Sequence, residues 1–172
     1  MEIPIPNPEI PFAEQPEEIL LAMLIFGEAR GSKVHDDTRL AVGSVVRNRV
    51  LSGKFGGSIW RGVILRPFQF SCFNANDPNR PKLLEPLEHE KKEVWESCYR
   101  CAALILNGTA NDITQRATHY YTGSVVPYWT IRFKHTLDMD GFHFFRDPGA
   151  FQEPKPEPIA APSVEEDFLA GG

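Results

Sequence analysis

Residues 25–31 read Ile25-Phe26-Gly27-Glu28-Ala29-Arg30-Gly31: one carboxylate near the end of an apolar run, with a glycine three residues on. Upstream, Pro16-Glu17-Glu18 puts a proline in a first turn and two acids near the positive end of a helix dipole. Ile19, Met23 and Phe26 then fall on one face at i, i+4 and i+7. The pattern predicts a helix that ends near Arg30, with Gly31 as the left-handed residue after it. A carboxylate in the last turn sits at the negative end of the dipole, against apolar neighbours. Both conditions favour its protonated form. An acid still protonated near neutral pH can donate to a leaving group, so Glu28 is the candidate catalytic acid.

Two further helices follow outward from this one. Asp36-Asp37-Thr38 opens the second; Val42, Val46 and Val50 repeat every four residues, Ala41 and Val45 widen the stripe, and Gly53 closes it. Asn48 and Arg49 near its end read as surface or locally bonded residues. Residues 53–85 read mostly as loop, with a short helix to Leu65 capped by Ser58 and stopped by Pro67. A loop this long inside one domain is more often functional than idle. The third and longest helix is expected to run from Pro86 to Asn107-Gly108, with Val94, Cys98, Cys101, Ala102 and Ile105 on one face. Beyond it the chain changes period. Residues 117–122, 132–136 and 142–146 are strand candidates, the last two joined as a hairpin by a turn over 138–141. The fold class is therefore α+β: three main helices with a small antiparallel sheet. Residues 1–16 carry five prolines and read as an extended arm, 17–147 as the catalytic domain, and 148–172 as a proline-rich, acidic tail.

Bulk properties narrow the function. The 172 residues are 42% hydrophobic and 24% charged, enough for one domain with a core that needs no staples. A net charge of −5 argues against nucleic acid as a partner and leaves a neutral or mixed-charge glycan open. No apolar run approaches the ~20 residues of a membrane span. The N-terminus has neither a basic start nor an apolar core, so no signal peptide is expected. Cys72, Cys98 and Cys101 are too few for a disulfide framework. Cys98 and Cys101 lie inside a helical pattern, where buried apolar roles are expected.

Read in order, these segments resemble one family. Phe26-Gly27-Glu28-Ala29-Arg30-Gly31 is similar to the "YGEARGE" signature of the SleB-like cell wall hydrolases. Residues 41–50 resemble that family's "AVAxVVLNRV" helix. Gly62-Val63-Ile64 with Pro67 and Gln69-Phe70-Ser71 resembles its "VIxQPxQFS". Ala117-Thr118-His119-Tyr120-Tyr121, then Pro127, Trp129 and Gly141-Phe142-His143-Phe144-Phe145 resemble its C-terminal pattern. The resemblance spans about residues 19–146 and departs at Ser32, where the signature has a second glutamate. It implies a distantly lysozyme-like fold, peptidoglycan glycan strands as substrate, and Glu28 as the acid.

The residues themselves add to this reading. Glycoside cleavage ordinarily uses two carboxylates, yet Asp36, Asp37, Asp112, Asp138 and Asp140 all sit in turn or cap settings. A single acid fits a lytic transglycosylase, where the sugar's own 6-hydroxyl attacks and no water needs activating. Arg30 is expected to point away from Glu28. Sugars stack on aromatic faces, which makes Tyr120, Tyr121, Tyr128 and Trp129 candidate contacts. Thr118 and Tyr120 form one inward pair on a strand and His119 and Tyr121 the other; which pair faces the groove stays open. Gln69 and Ser71 are candidate donors to an N-acetyl group. His119, His135 and His143 raise a rival zinc amidase or peptidase reading, but no His-x-x-x-His or His-Glu-x-x-His spacing exists, so no metal or other cofactor is expected. His143 is expected to hold the last strand on the core. Muramidase-type hydrolysis with a second carboxylate and a non-catalytic wall-binding virion protein are the remaining alternatives. A monomer is expected.

Overall fold

Every residue from Ile19 to Phe26 is buried, with Leu20 to Phe26 at 0% exposure. A helix that is apolar all round belongs in the middle of a core. The computed structural model describes residues 1–151, and this helix, α1 (Glu17–Ala29), is its central rod. Helices α2 (Asp36–Ser52) and α6 (Lys92–Leu106) pack on α1 and on each other. The short α3 (Trp60–Ile64) and α4 (Arg80–Leu84) also pack on α1. From α2 come Ala41, Val42, Val45 and Val46; from α6 come Val94, Trp95, Cys98, Ala102 and Ile105. Trp95 meets Phe26 edge-on, with ring centroids 5.9 Å apart. Cys72, Cys98 and Cys101 are free and buried.

Three expectations about helix ends need correction. Gly31 is not left-handed. Arg39 of α2 closes the end of α1 instead: its Nε donates to Ala29 O at 3.1 Å and its Nη2 to Gly31 O at 3.2 Å. A cation at the negative end of a helix satisfies the carbonyls that a glycine turn would otherwise turn back to the chain. Ser58 caps nothing; Ile59 precedes α3, with no side-chain cap. The long third helix is two, α5 (Pro86–His89) and α6, separated by extended residues Glu90 and Lys91. Leu87 is exposed, so the apolar stripe that holds α6 in line starts only at Val94. Among the described residues the longest helix is therefore α2.

The sheet has strand order β1-β3-β2, all antiparallel, from β1 (His119–Thr122), β2 (Lys134–Met139) and β3 (Phe142–Arg146). Asp140 and Gly141, at φ 49° and 79°, form the two-residue turn between β2 and β3. Positive φ at both positions matches the right-handed strand twist. The Asp140 carboxylate accepts from His35 N (2.8 Å) and Thr38 Oγ1 (2.7 Å), tying the hairpin to the start of α2. Tyr120, Phe142 and Phe144 share the inner face, packed on the helices. His119, Tyr121, His143 and Phe145 take the outer face, where Trp129 and Phe133 pack over them. His143 thus bonds Asp138 on the outer face rather than holding the strand on the core.

Residues 1–16 lie along α3 and α6 and include one 3-10 turn, Phe12–Glu14. Trp95 Nε1 donates to Pro4 O (2.9 Å), Arg61 Nη2 to Gln15 O (2.6 Å), and the buried Gln15 donates to Asn7 O (2.6 Å). Of the tail expected at 148–172, residues 152–172 lie outside the described residues.

Candidate active site

Gly27 fixes where Glu28 stands. A Cβ built on Gly27 would lie 2.7 Å from Cys72 Sγ and 3.1 Å from Leu83 Cδ2. Only glycine lets the last turn of α1 approach the 3-10 turn Ser71–Phe73 this closely. Glu28, the next residue, then points into a cleft of about 210 Å³ with Arg49, Gln69, Ser71 and Tyr120 on its walls and Phe68 and Phe70 beside them. That is below the roughly 300–1,000 Å³ of ligand cavities that enclose a small molecule; it suits an open groove gripping part of a polymer.

Tyr120 O–H donates to Glu28 Oε2 at 2.9 Å. Burial raises the Glu28 carboxyl above its ordinary 4.5, and the Asp77 charge adds to that; the Tyr120 and Cys72 hydrogen bonds and the Arg49 charge pull it down without cancelling the rise. Burial is thus the leading cause of the rise. Tyr120 and Cys72 are themselves pushed up, chiefly by burial and then by the Glu28 charge, so both stay protonated. The arrangement holds one carboxyl, partly desolvated, with one oxygen fixed by a hydroxyl donor. Arg30 points elsewhere, donating to Asn79 Oδ1 at 2.7 Å and lying over the Phe26 ring.

Arg49, read from sequence as a surface residue, is buried in the wall of this cleft. Its Nε donates to Thr118 O at 2.7 Å and its Nη1 to Gln69 Oε1 at 3.0 Å. Its guanidinium lies 5.1 Å from the Phe55 ring and 5.0 Å from the Phe70 ring, contacts worth about 0.5–2 kcal/mol each. Burial lowers its pKa to about 10, which still leaves it charged. The missed signal was its spacing: Arg49 follows Val45 and Val46 by four and three residues, so it lies on the buried stripe. Asn48, likewise buried, donates to Asp112 Oδ2 and Ala117 O, both at 2.9 Å, and pins the loop that leads into β1. Phe68, 87% exposed and at φ 62°, stands at the lip of the cleft. A bulky side chain held at positive φ is a strained conformation of the kind found at functional sites.

The other expected contacts separate. Thr118 is fully buried, its Oγ1 engaged with His119 Nδ1 (2.9 Å) and Asp147 N (2.9 Å), so it faces no substrate. His119, Tyr121 and Trp129 sit on the outer face of the sheet, away from Glu28, because strand residues alternate sides and Tyr120 took the inner one. The five aspartates considered as second carboxylates are occupied or remote. Asp36 bonds Ser97 and Arg39, Asp112 holds Thr114 and Asn48, Asp138 bridges His135 and His143, and Asp140 caps α2. Asp37 is exposed at the start of α2. His135 and His143 meet on Asp138 while His119 bonds Thr118, and the described residues contain no group of three or more His, Cys, Asp or Glu that could hold a metal ion.

The family model described as Cell Wall Hydrolase matches residues 35–145. The chain belongs to the cell wall hydrolase family. As a cell wall hydrolase it is an enzyme acting on peptidoglycan. The match includes Arg49, Gln69, Ser71 and Tyr120 and begins after Glu28. Among solved structures, it resembles the catalytic domain of the germination-specific lytic transglycosylase SleB from Bacillus anthracis, with a TM-score of 0.57 and 20% identity over 83% of this chain and 100% of that one. The catalytic domain of the Bacillus cereus SleB protein gives a TM-score of 0.55 and 20% identity over 76% and 89%. At this identity the likeness is one of fold, and it agrees with the α+β class. No curated protein matches the chain.

Proposed function

We propose that this cell wall hydrolase cuts the bond between N-acetylmuramic acid and N-acetylglucosamine by lytic transglycosylation, with Glu28 as the single acid and base. The observation that carries the reading is the Tyr120–Glu28 hydrogen bond in a cleft whose lining, among the described residues, includes no other carboxylate. The protonated Glu28 donates to the glycosidic oxygen as the C1–O bond breaks, and positive charge develops at C1 of the muramic sugar. The resulting carboxylate, stabilised by the Tyr120 hydroxyl and the Arg49 charge, then takes the proton from the same sugar's 6-hydroxyl. The O6–C1 bond closes a 1,6-anhydro ring, and Glu28 ends as it began, protonated. No water enters, so no second carboxylate is needed to activate one.

Gln69, oriented by Arg49, and Ser71 are the proposed contacts to the sugar's polar groups, and the exposed Phe68 ring is the proposed stacking surface. β1 is an edge strand; a longer glycan running across it meets Tyr121 and Trp129 as distal contacts. The test is mass spectrometry of digested peptidoglycan. The wild type should release anhydro-muropeptides. Glu28→Gln, which keeps the shape and loses the proton donor, should be slower by at least about a hundredfold. Reducing-end products from the wild type would instead establish hydrolysis, and full lytic activity in Glu28→Gln would remove Glu28 from the chemistry.

A further inference from the structure

We propose that a second cavity beside the cleft, about 390 Å³ in volume, binds the peptide carried by the glycan, with Arg80 and Asp77 reading a residue that bears both a free carboxylate and a free ammonium. This rests on the reading of peptidoglycan as substrate. The cavity is walled by Pro11 and Phe12 from the N-terminal arm, by Asp77, and by Arg80 and Leu84 of α4. None of these residues lines the cleft that holds Glu28; the Asp77 charge reaches Glu28 only at a distance.

Three observations carry the inference. The first is continuity. The 3-10 turn Ser71–Phe73 presents Ser71 to the cleft, Cys72 to Glu28 and Phe73 to Phe12, ring centroids 5.2 Å apart. One turn therefore lines the cleft with Ser71 and, two residues on, backs the cavity wall at Phe12 with Phe73. An extended peptide advances about 3.3–3.6 Å per residue, so one attached to a sugar in the cleft reaches the cavity within a few residues. The second is Arg80. Its guanidinium lies 5.1 Å from the Phe12 ring, and its Nε is buried with no hydrogen-bond partner; no ion pair engages it among the described residues. A stacked guanidinium without an acid is prepared for a carboxylate, which its planar fork holds in two bonds. The third is Asp77, in the same cavity with its Oδ1 accepting from Asn79 N at 2.8 Å. A simple polyanion would be repelled there. A group carrying both charges is matched, and the apolar floor of Phe12, Pro11 and Leu84 accepts its methylenes.

The test reads binding without turnover. The probe is a muramyl tripeptide ending in a diamino dicarboxylic acid, a monosaccharide compound with no glycosidic bond to cut, titrated into the full chain by NMR. Saturable shifts at Phe12 and Arg80 are expected. Amidating the terminal carboxylate, or Arg80→Glu, should weaken binding about tenfold or more, the worth of one charge-assisted hydrogen bond. Equal affinity for the amidated probe, or no saturable binding, overturns the proposal, and neither outcome depends on a variant that folds. In turnover, Arg80→Glu should raise KM on peptide-bearing glycan and leave glycan stripped of its peptides unchanged; equal loss on both also overturns it. Failure of the transglycosylase reading shows separately, as an absence of anhydro products from the wild type.

Discussion

At the scale of single residues, the cleft is a contest over one proton. Burial raises Glu28, and the Tyr120 hydroxyl is the largest influence pulling it back. Removing that hydroxyl removes a bond to the ionised form and leaves the desolvation in place. Tyr120→Phe should therefore move the alkaline limb of the kcat/KM profile to higher pH, because Glu28 holds its proton longer. It should also lower kcat by roughly ten- to hundredfold, the equivalent of about 1.5–3 kcal/mol for a hydrogen bond to a charged group. A pH-rate profile of the two proteins checks both. A limb that stays in place would detach Tyr120 from the titration of Glu28. The Glu28 position itself was legible from Ile25 to Gly31. Its partner was not, since two adjacent tyrosines on a strand face opposite ways and only packing chose Tyr120.

Between elements, the contact that matters most is α1 against the turn Ser71–Phe73. It exists because Gly27 has no side chain. Gly27→Ala must push Cys72 or Leu83 aside, an overpacking cost of about 1–3 kcal/mol. Thermal or urea unfolding should show that loss. Activity should fall further than the population of folded protein, since a shift of about 1 Å at a catalytic group can cost a hundredfold. Unchanged stability would mean that the turn yields freely. The main helices and the hairpin were legible because period and turn chemistry are local. The Asp140-Gly141 turn needs only its own two residues to be read. The division of α5 from α6 was missed because the acids after Pro86 were read as the first turns of the same helix, although the buried stripe starts only at Val94. The closing of α1 by Arg39 was not legible, because it depends on how α2 turns back onto α1.

Across the whole molecule, the outer face of the sheet sets a pH limit on stability. His119 sits among Phe55, Trp129 and Phe133, and burial, aided by the Arg49 charge, lowers its pKa from 6.5 to about 4. The unfolded chain therefore takes up this proton first as the solution is acidified. The stability linked to His119 is full above pH 6.5 and is lost as pH falls from 6.5 towards 4. Glu28, raised from 4.5, works the other way, with stability lost as pH rises above that value. His119→Phe keeps a ring in the cluster and removes the titration. Thermal melts between pH 7 and pH 4.5 should show the wild type losing more stability on acidification than the variant; parallel curves would refute this. Sequence by itself determined the main helices and the hairpin, the α+β class and the carboxylate at the end of α1, because hydrophobic period, turn residues and glycine placement act within a few residues. Tertiary structure alone decided that Arg49 is buried beside Glu28, that Tyr120 rather than Tyr121 faces it, and that Phe12 of the N-terminal arm meets Arg80 of α4. Each of those depends on which surfaces meet across the core, and burial, which sets the charge on Glu28, has no value until they do.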